Sequence, residues 1–435
     1  MPASQTAPMP QPDPQALPDQ SPHYTQSVGE LGEERAVIAH EDVYAANGMK
    51  LFAKGARINR SQIERLNLHK LRVPLDMVLS AEDSVDPAML ASDGNRLLAD
   101  DATMARMAGR SGDPQGFRQG LGALEMPPPL AFRLTVMREK RAGLYQHTLR
   151  VALITHAMGI RLELGQRDLH DVLLAAICHD IGEMHTDPLL LASGHRITAE
   201  ERRFIHVHPL TGFVILRDMP GIPSATMQAV LHHHERLDGS GYPYSLKEAQ
   251  IHPLAKLLCV AEVMEAVIRR GDAQRTDVLL RLNQRRLDPQ VVDVLRELLR
   301  ADANTVQPTP GGNDASVDLT HILAVLAAWP ALARTLEQQA PKVAVLQFLA
   351  ERMTMLKSLV LQSGINPDDG EALLELARED SEVLTELQAT LSELGWLLLD
   401  IANEVERRTV GLDAPTQATV DELMGLLRVS AGLAG

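Results

Sequence analysis

The sequence predicts a mainly α protein, in which an all-α helical domain follows a small α+β module and precedes a C-terminal helical bundle. Residues 168–180 ("DLHDVLLAAICHD") carry apolar side chains at helical spacing on one face. Residues 318–430 show a helical pattern almost throughout, whereas strand-like segments are confined to residues 36–79. At 435 residues the chain is too long for one ordinary domain, and two or three domains are expected.

The N-terminal part divides into a tail and a module. Residues 1–33 are rich in Pro, Gln and Ser and are expected to be disordered. The module, residues 34–80, is predicted to contain a hairpin that turns at Asn47-Gly48. A short helix capped by Ser61 and a strand at Val73–Leu79 follow it.

The central domain is expected to span residues 125–300, after a linker with weak helices at residues 81–124. Its helix over 168–180 is followed by Gly182, a usual helix terminator. A further helix is predicted over residues 224–235.

The C-terminal part begins with a linker at residues 301–317, which is rich in Pro, Gly and Asn. The helical region that follows, residues 318–435, contains an apolar stripe at three-to-four spacing. The stripe consists of Val383, Leu384, Leu387, Leu391, Leu394, Leu398, Ile401 and Val405. It indicates either an intramolecular bundle or a bundle that mediates a homodimer or docks a protein partner.

Composition and charge exclude several classes of protein. The net charge of −15 argues against a protein that binds nucleic-acid polymers through their phosphates, which requires basic patches. No apolar run approaches the length of a membrane span, and no signal peptide is visible, so a cytoplasmic protein without membrane contact is expected. The two cysteines, Cys178 and Cys259, lie in apolar helical segments, which is typical of reduced core thiols.

The histidines are concentrated in one quarter of the chain. Twelve of the 16 lie between His147 and His252, and they include the run "HHERLDGSGYP" and the cluster "HDIGE". Nitrogen and oxygen donors grouped in this way favour a hard-to-borderline metal ion, which indicates a metal-activated hydrolase. Core or surface positions remain the better interpretation for the histidines without a partner at ligand spacing. These are His156, His170, His185 and His195.

Five pieces in order resemble the HD-GYP branch of the HD superfamily of metal-dependent phosphohydrolases. They are "YQHTLRVALI", "AAICHDIGE", "HVHPLTGFVIL", "HHHERLDGSGYP" and "IHPLAKLLCVAEVMEAV". The resemblance covers roughly residues 125–300 and implies an all-α HD-type domain. A lone HD dipeptide would carry no weight, whereas this ordered series is specific.

The resemblance implies two divalent metal ions, iron or manganese, that share the bridging carboxylate of Asp180. It implies that the first ion is held by His147, His179, Asp180 and Glu262. It implies that the second is held by Asp180, His208, His233 and His234. A pair of ions about 3.5–4 Å apart activates water and clamps the attacking and leaving oxygens of a phosphodiester.

The family's substrate is cyclic di-GMP, a cyclic dinucleotide, so the resemblance implies a phosphodiesterase of bacterial second-messenger signalling. Asp180 and His179 are expected to be catalytic. A wall of the substrate site is expected from Gly241, Tyr242 and Pro243, although a simple turn accounts for these residues equally well. Arg150 and Lys256 lie beside ligand positions and are expected near phosphate or on the solvated surface.

Four departures from the family pattern concern the residues expected to contact the substrate phosphate and those expected to hold the metals. Glu183 replaces the usual phosphate-binding lysine, so it is expected either to repel substrate or to add a carboxylate near the metals. Glu262 replaces an aspartate and reaches one methylene further. An arginine-rich "RPYR" segment is missing. Gly143 stands where members with a third metal carry glutamate, which favours two metals.

Two other functions stay open at this point. One is hydrolysis of a different nucleotide, because the residues expected to contact the phosphate are altered. The other is a degenerate sensor or scaffold that binds metal or nucleotide without turnover. Metal analysis followed by turnover of cyclic di-GMP separates the three.

Overall fold

The computed structural model describes residues 21–191, 198–270, 273–300, 343–362, 381–409 and 412–430. The first part of the predicted tail and the predicted linker at 301–317 therefore lie outside the described residues. Within them the protein is mainly helical, as the sequence predicts, and strands occur only in the N-terminal module.

The N-terminal module consists of two helices and two small antiparallel sheets. Its elements are α1 (Pro22–Glu34), β1 (Val37–Ala39), β2 (Val43–Tyr44), β3 (Lys50–Phe52), α2 (Arg60–Leu66) and β4 (Leu79–Ala81). The predicted turn is present, because β2 pairs with β3 and Gly48 adopts a φ of +85°. The preceding strand β1 does not belong to this hairpin but pairs with β4.

Three predictions for the module are wrong. Residues 22–33 form α1 rather than a disordered tail, because Ser21 caps the helix and Val28 and Leu31 are fully buried. Helix α2 is capped by Asn59, whose side chain forms a capping box with Gln62, and not by Ser61.

The third wrong prediction is the strand at Val73–Leu79. A 3-10 turn occupies Leu75–Met77, and the strand begins only at Leu79. This turn buries Asp76, which makes polar contacts with two other parts of the chain.

The predicted linker at 81–124 is a packed helical segment. It contains α3 (Pro87–Asp100), α4 (Ala102–Arg110) and α5 (Gly116–Gly122). Phe117 and Leu121 of α5 are buried in the same hydrophobic core as the central helices. Burial on this scale makes the segment part of the central domain, since apolar area removed from water is the main stabilising term.

The central helices surround the histidine-rich region. They are α6 (Pro128–Lys140), α7 (Ala142–Arg161), α8 (Gln166–Cys178), α9 (Ala199–His206), α10 (His208–Arg217), α11 (Ser224–His232), α12 (Pro253–Arg270), α13 (Ala273–Leu282) and α14 (Pro289–Leu299). Helices α7, α8, α11 and α12 pack against one another and place their apolar faces in one core.

The C-terminal bundle comprises α15 (Ala344–Gln362), α16 (Ser381–Arg407) and α17 (Ala414–Ser430) in the described part of the chain. It has a separate hydrophobic core, to which α13 contributes Val278 and Leu282. Three stripe residues of α16, Leu394, Leu398 and Val405, are buried there, and Ile401 packs against them. The side chains of Val383, Leu384, Leu387 and Leu391 lie outside the described part. The stripe is therefore used, where it is described, for packing within the chain.

Among the described residues, no helix has both the length and the apolar character needed to cross a membrane.

Candidate metal centre

The seven predicted ligands come together on five helices, mostly at helix ends. His147 lies on α7 and Glu262 on α12, while His208 is the first residue of α10. Helix α8 ends at Cys178, and the backbone leaves helical geometry at Asp180, with φ −104° and ψ 12°. His179 and Asp180 can therefore face one centre although they are adjacent. Likewise α11 ends at His232, and His233 and His234 follow it.

The first group contains His147, His179, Asp180 and Glu262. Their ligand atoms all lie within 4.8 Å of one another. Nε2 of His179 is 3.1 Å from Oδ2 of Asp180 and 3.2 Å from Oε2 of Glu262. Nε2 of His147 is 3.0 Å from the same oxygen of Glu262 and 3.6 Å from Oδ2 of Asp180.

The second group contains Asp180, His208, His233 and His234, again within 4.8 Å. Oδ1 of Asp180 lies 3.2 Å from Nε2 of His208 and 3.7 Å from Nε2 of His233. One oxygen of Asp180 thus faces each group. This is the arrangement that a bridging carboxylate requires.

Backbone carbonyls orient three of the imidazoles. Nδ1 of His179, His208 and His233 donates to the carbonyls of Ala176, Ile205 and Val230 at 2.8, 2.7 and 2.6 Å. Since a carbonyl only accepts, Nδ1 carries a proton and Nε2 is directed at the centre. This is the outer contact usually found on a metal-binding histidine.

The centre fits a cation. The Nε2 atoms of His208 and His233 face each other at 3.2 Å, so two lone pairs would repel unless a proton or a metal ion lay between them. Nε2 of His179 and Oδ1 of Asp180 are buried and make no hydrogen bond among the described residues, despite their close neighbours. Buried polar atoms directed at a common point without a hydrogen bond are the donor set that a metal ion completes.

The charges of the metal-free centre depend on these contacts. Burial lowers the pKa of His147, but Glu262, Glu265 and Asp180 outweigh it and raise the pKa to about 11. Burial likewise lowers the pKa of His179, and Asp180 and Glu262 raise it to about 10. Burial raises the pKa of Asp180, but His179, His208 and His233 hold it well below its usual value. In the metal-free protein, protons on His147 and His179 therefore balance the carboxylates.

Arg150, expected near phosphate or on the solvated surface, is paired with a buried carboxylate. It pairs with Glu265, which is 2% exposed and also lies 3.2 Å from Nδ1 of His147. A buried carboxylate needs such partners, so Arg150 holds Glu265 and Glu265 orients His147. The ammonium of Lys256 lies 3.7 Å from the Asp288 carboxylate.

The "DGSGYP" loop packs against the backbone and the ring of the predicted ligand His234. A Cβ added at Gly241 would lie 2.4 Å from Cα of Glu235, so glycine is needed there for close backbone packing. The Tyr242 ring lies between His234 and His206, with ring centroids 4.5 and 4.0 Å away. Its two faces are thus occupied. Tyr242 and Pro243 also line a cavity of about 230 Å³.

Gly182 has a different role from the one predicted, since α8 has already ended at Cys178. A Cβ at Gly182 would lie 2.1 Å from the carbonyl oxygen of His208. The glycine therefore allows the turn after Asp180 to pack directly on the first turn of α10, which brings His208 to Asp180.

An open cavity of about 440 Å³ lies beside the first group. Its lining includes His147, Asp180 and Glu262, together with Glu183, Gly143 and Arg141. Glu183 therefore lines the cavity beside the centre. Both predicted roles, repulsion of substrate and an additional carboxylate near the metals, require this position. Burial, followed by Asp180, raises the pKa of Glu183 to about 7. A Cβ at Gly143 would meet nothing within 4 Å.

Sequence reasoning missed four residues of the site. Arg141 stands six residues before His147, and Glu265 stands three residues after Glu262. No motif singles out either position. Glu235 belongs to the histidine run and accepts from the amides of Tyr244 and Leu246 at 2.7 and 2.8 Å. His206 stacks on Tyr242, and its only sequence signal was its place two residues before His208.

The histidines judged to lack ligand partners lie away from the two groups where they are described. His156 packs against Phe117, and burial lowers its pKa to about 4. His170 lies beside Asp171, at 3.2 Å. His185 contacts Tyr24 and Arg133. His195 falls outside the described residues.

Comparison with known proteins agrees with this geometry. The family described as HD domain matches residues 135–291. A cyclic di-GMP phosphodiesterase of Pseudomonas aeruginosa is 36% identical over 28% of this chain and 30% of its own length. A 3′3′-cGAMP-specific phosphodiesterase of Vibrio cholerae is 29% identical over 41% of this chain and 43% of its own length.

A cyclic di-GMP phosphodiesterase of Thermotoga maritima is 32% identical over 29% of this chain and 34% of its own length. The chain thus matches less than half the length of each of these relatives. The family match at 135–291 contains the histidine-rich centre and ends before the C-terminal bundle. HD domains are metal-dependent phosphohydrolases, and the two histidine–carboxylate groups are candidate metal sites. Residues 135–291 therefore match an HD domain, and the ordered motifs resemble those of the HD-GYP branch.

Proposed function

We propose that this protein is a metal-dependent phosphodiesterase that hydrolyses a cyclic dinucleotide, with cyclic di-GMP as the first candidate substrate. The observation that carries the proposal is the division of Asp180 between two ligand groups, one oxygen to each. The names of the relatives support the substrate class, because they act on cyclic di-GMP or 3′3′-cGAMP.

The residues that would hold the ions are those predicted. His147, His179 and Glu262 would hold one ion, His208, His233 and His234 the other, and Asp180 both. Imidazole nitrogen with carboxylate oxygen suits iron or manganese, which we propose as the metals. When bound, a pair of divalent ions supplies an activated water and neutralises charge on the phosphate.

The chain's own residues shape the phosphate side of the site. Arg141 is the guanidinium among the residues that line the 440 Å³ cavity, and its Nη2 donates to the Thr186 carbonyl at 3.1 Å. We propose that Arg141 faces a substrate phosphate in place of the family's lysine. Glu183 opposes it, because an ionised carboxylate in the same cavity repels a phosphodiester.

The test is turnover by anaerobically purified protein with its native metal. Cyclic di-GMP, 3′3′-cGAMP and the linear dinucleotide are offered separately, and products are separated by chromatography. Asp180→Asn serves as the control, since it keeps the side-chain volume but removes the bridging charge. The proposal fails if the metal-loaded wild-type protein hydrolyses none of the three, or if Asp180→Asn hydrolyses them as fast as the wild type.

A sensor without turnover is the second candidate, because Glu183 stands in place of the family's phosphate-binding lysine in the cavity beside the centre. Calorimetric titration with cyclic di-GMP separates the two functions. A sensor binds the nucleotide and leaves it intact, whereas an enzyme converts it. The cytoplasmic location and a homodimer stay predictions.

A further inference from the structure

The C-terminal bundle is joined to the loop that supports the metal centre by a buried ion pair. Arg352 of α15 pairs with the carboxylate of Asp238, and its Nη2 also donates to the Asp238 carbonyl at 2.7 Å. The two side chains are only 13% and 11% exposed. The Arg352 guanidinium also packs on the ring of Phe348, with its carbon 5.0 Å from the ring centroid.

A second arginine makes a parallel connection. Nη2 of Arg286 donates to Asp400 of α16 at 2.8 Å, and its Nε donates to the Ser240 hydroxyl at 3.2 Å. Helix α16 also supplies Asn403 and Glu406 to the cavity that Tyr242 and Pro243 line. Loop and bundle therefore meet over several contacts rather than at one surface pair.

Asp238 organises the loop that Arg352 contacts. Oδ1 of Asp238 accepts from the amide and hydroxyl of Ser240 at 2.9 and 2.6 Å. Gly241 follows Ser240 and packs on the backbone of Glu235, and the Tyr242 amide donates to the His234 carbonyl at 3.2 Å. The Tyr242 ring then stacks on the imidazole of His234, at 19° between planes.

These contacts form a continuous path from α15 to a predicted metal ligand. We propose that Arg352 is a positioning residue for the metal centre: it holds Asp238, and thereby keeps Tyr242 stacked on His234. The C-terminal bundle is in this view part of the unit that shapes the metal centre. The inference uses the proposed metal site, but it does not require that the protein hydrolyse any nucleotide.

The test compares Arg352→Met with Arg408→Met. Arg408 also stacks on Phe348, with its guanidinium carbon 4.1 Å from the ring centroid, and it pairs with Glu404 instead of the loop. Both substitutions thus remove a guanidinium that packs on the Phe348 ring. Only Arg352→Met also removes the contact with Asp238.

Hydrogen exchange of the metal-free proteins is the first measurement. In Arg352→Met, the amides of Ser240, Tyr242, Tyr244 and Leu246 are expected to exchange about tenfold faster, because local opening of the loop costs less. In Arg408→Met they are expected to exchange at the wild-type rate. Arg352→Lys should restore only part of the protection, since lysine cannot contact the carboxylate and the carbonyl with a planar fork.

Manganese binding is the second measurement. Arg352→Met is expected to weaken the site that contains His234 by about tenfold, the lower end of the effect of removing groups that orient metal ligands. Asp238→Asn should reproduce both effects, and the double variant should add nothing to either. If Arg352→Met does not fold, Asp238→Asn alone decides the question, because it is nearly isosteric.

The proposal is overturned if Arg352→Met lowers only the thermal stability and leaves loop exchange and manganese affinity unchanged. It is equally overturned if Arg408→Met changes the loop as much as Arg352→Met. Loss of turnover in every variant, wild type included, would contradict the proposed enzyme function alone, since exchange and metal affinity are measured without substrate.

Discussion

Asp180 is the residue on which both ligand groups depend. Its Oδ2 faces His179 and its Oδ1 faces His208, at 3.1 and 3.2 Å. His233 contacts only the second of these oxygens, at 3.7 Å. The two residues therefore differ in how many ions their loss should affect.

We predict that Asp180→Ala loses both ions, whereas His233→Ala loses mainly one. Metal content after anaerobic purification, measured by elemental analysis, checks this. His170→Ala is a suitable control, because His170 lies outside both groups. Equal losses in Asp180→Ala and His233→Ala would show that Asp180 does not bridge, and wild-type protein without iron, manganese or zinc would contradict the metal centre itself.

Glu183 lines the same cavity as Arg141, so its substitution distinguishes two roles. We predict that Glu183→Lys raises the affinity for cyclic di-GMP by about tenfold or more and leaves the metal content unchanged. A charge reversal near a phosphate is worth a few kcal/mol at an effective dielectric of about 20. The affinity is measured by calorimetry on the metal-loaded protein.

Glu183→Gln provides the matched comparison, because it removes the charge without adding one. It should give an intermediate affinity. A fall in metal content in Glu183→Lys would show instead that Glu183 is an additional ligand. A variant that matches the wild type in affinity, metal content and turnover would show that Glu183 has no part in the site.

At the scale of elements, a buried polar cluster joins the N-terminal module to the turn that follows Asp180. Arg133 of α6 forms a two-pronged contact with Asp76, and both side chains are 3% exposed. Tyr24 of α1 donates to the same carboxylate and lies under the Arg133 guanidinium. Arg133 Nη1 also lies 2.9 Å from Nε2 of His185. Because an arginine only donates, this nitrogen of His185 accepts.

We predict that Arg133→Met lowers the free energy of unfolding by about 3–5 kcal/mol, because it leaves Asp76 buried without its cation. Arg35→Met is the control: it removes a more exposed pair with Glu139, at 3.0 Å and 33% and 21% exposure, also between the module and α6. The control should cost less than about 1 kcal/mol. Urea unfolding checks both, and similar losses would show that burial of the cluster does not matter.

At the scale of the whole molecule, metal and protons compete for the same nitrogens. In the metal-free protein the pKa values of His147 and His179 are raised to about 11 and 10 by the neighbouring carboxylates. These pKa values exceed that of unfolded histidine, so the resulting stability is present below about pH 6.5 and is lost as the pH rises through 10 and 11. Metal removes this dependence because it replaces the protons.

We therefore predict that metal binding releases protons at pH 7 to 9 and that metal affinity rises with pH over this range. Since a ligand that binds the folded state stabilises it, the loss of Tm on adding a chelator should be larger at pH 9 than at pH 7. Calorimetry in buffers of different ionisation heat counts the protons, with His170→Ala as the control. Binding without proton release would contradict protonated His147 and His179.

The sequence by itself determined the helical class, and its resemblance to a known family picked out the seven predicted ligands that the structure brings together. The helical class rests on local information. Periodicity and helix ends are encoded within a few residues, and the order of "HD", "HH" and "GYP" identifies the positions. The turn at Asn47-Gly48 was predictable for the same reason.

Only the tertiary structure decided which partners the remaining charges take. Arg150 and Lys256 stand beside ligand positions in sequence but pair with Glu265 and Asp288, because buried or half-buried charges pair across helices that sequence spacing does not relate. Tertiary structure also decided the helices at residues 22–33 and 81–124, whose local sequence patterns are weak. They form because a core is available to bury Leu31 and Phe117. The contact between Arg352 and Asp238 spans 114 residues, and it exists because two separate cores fold against one loop.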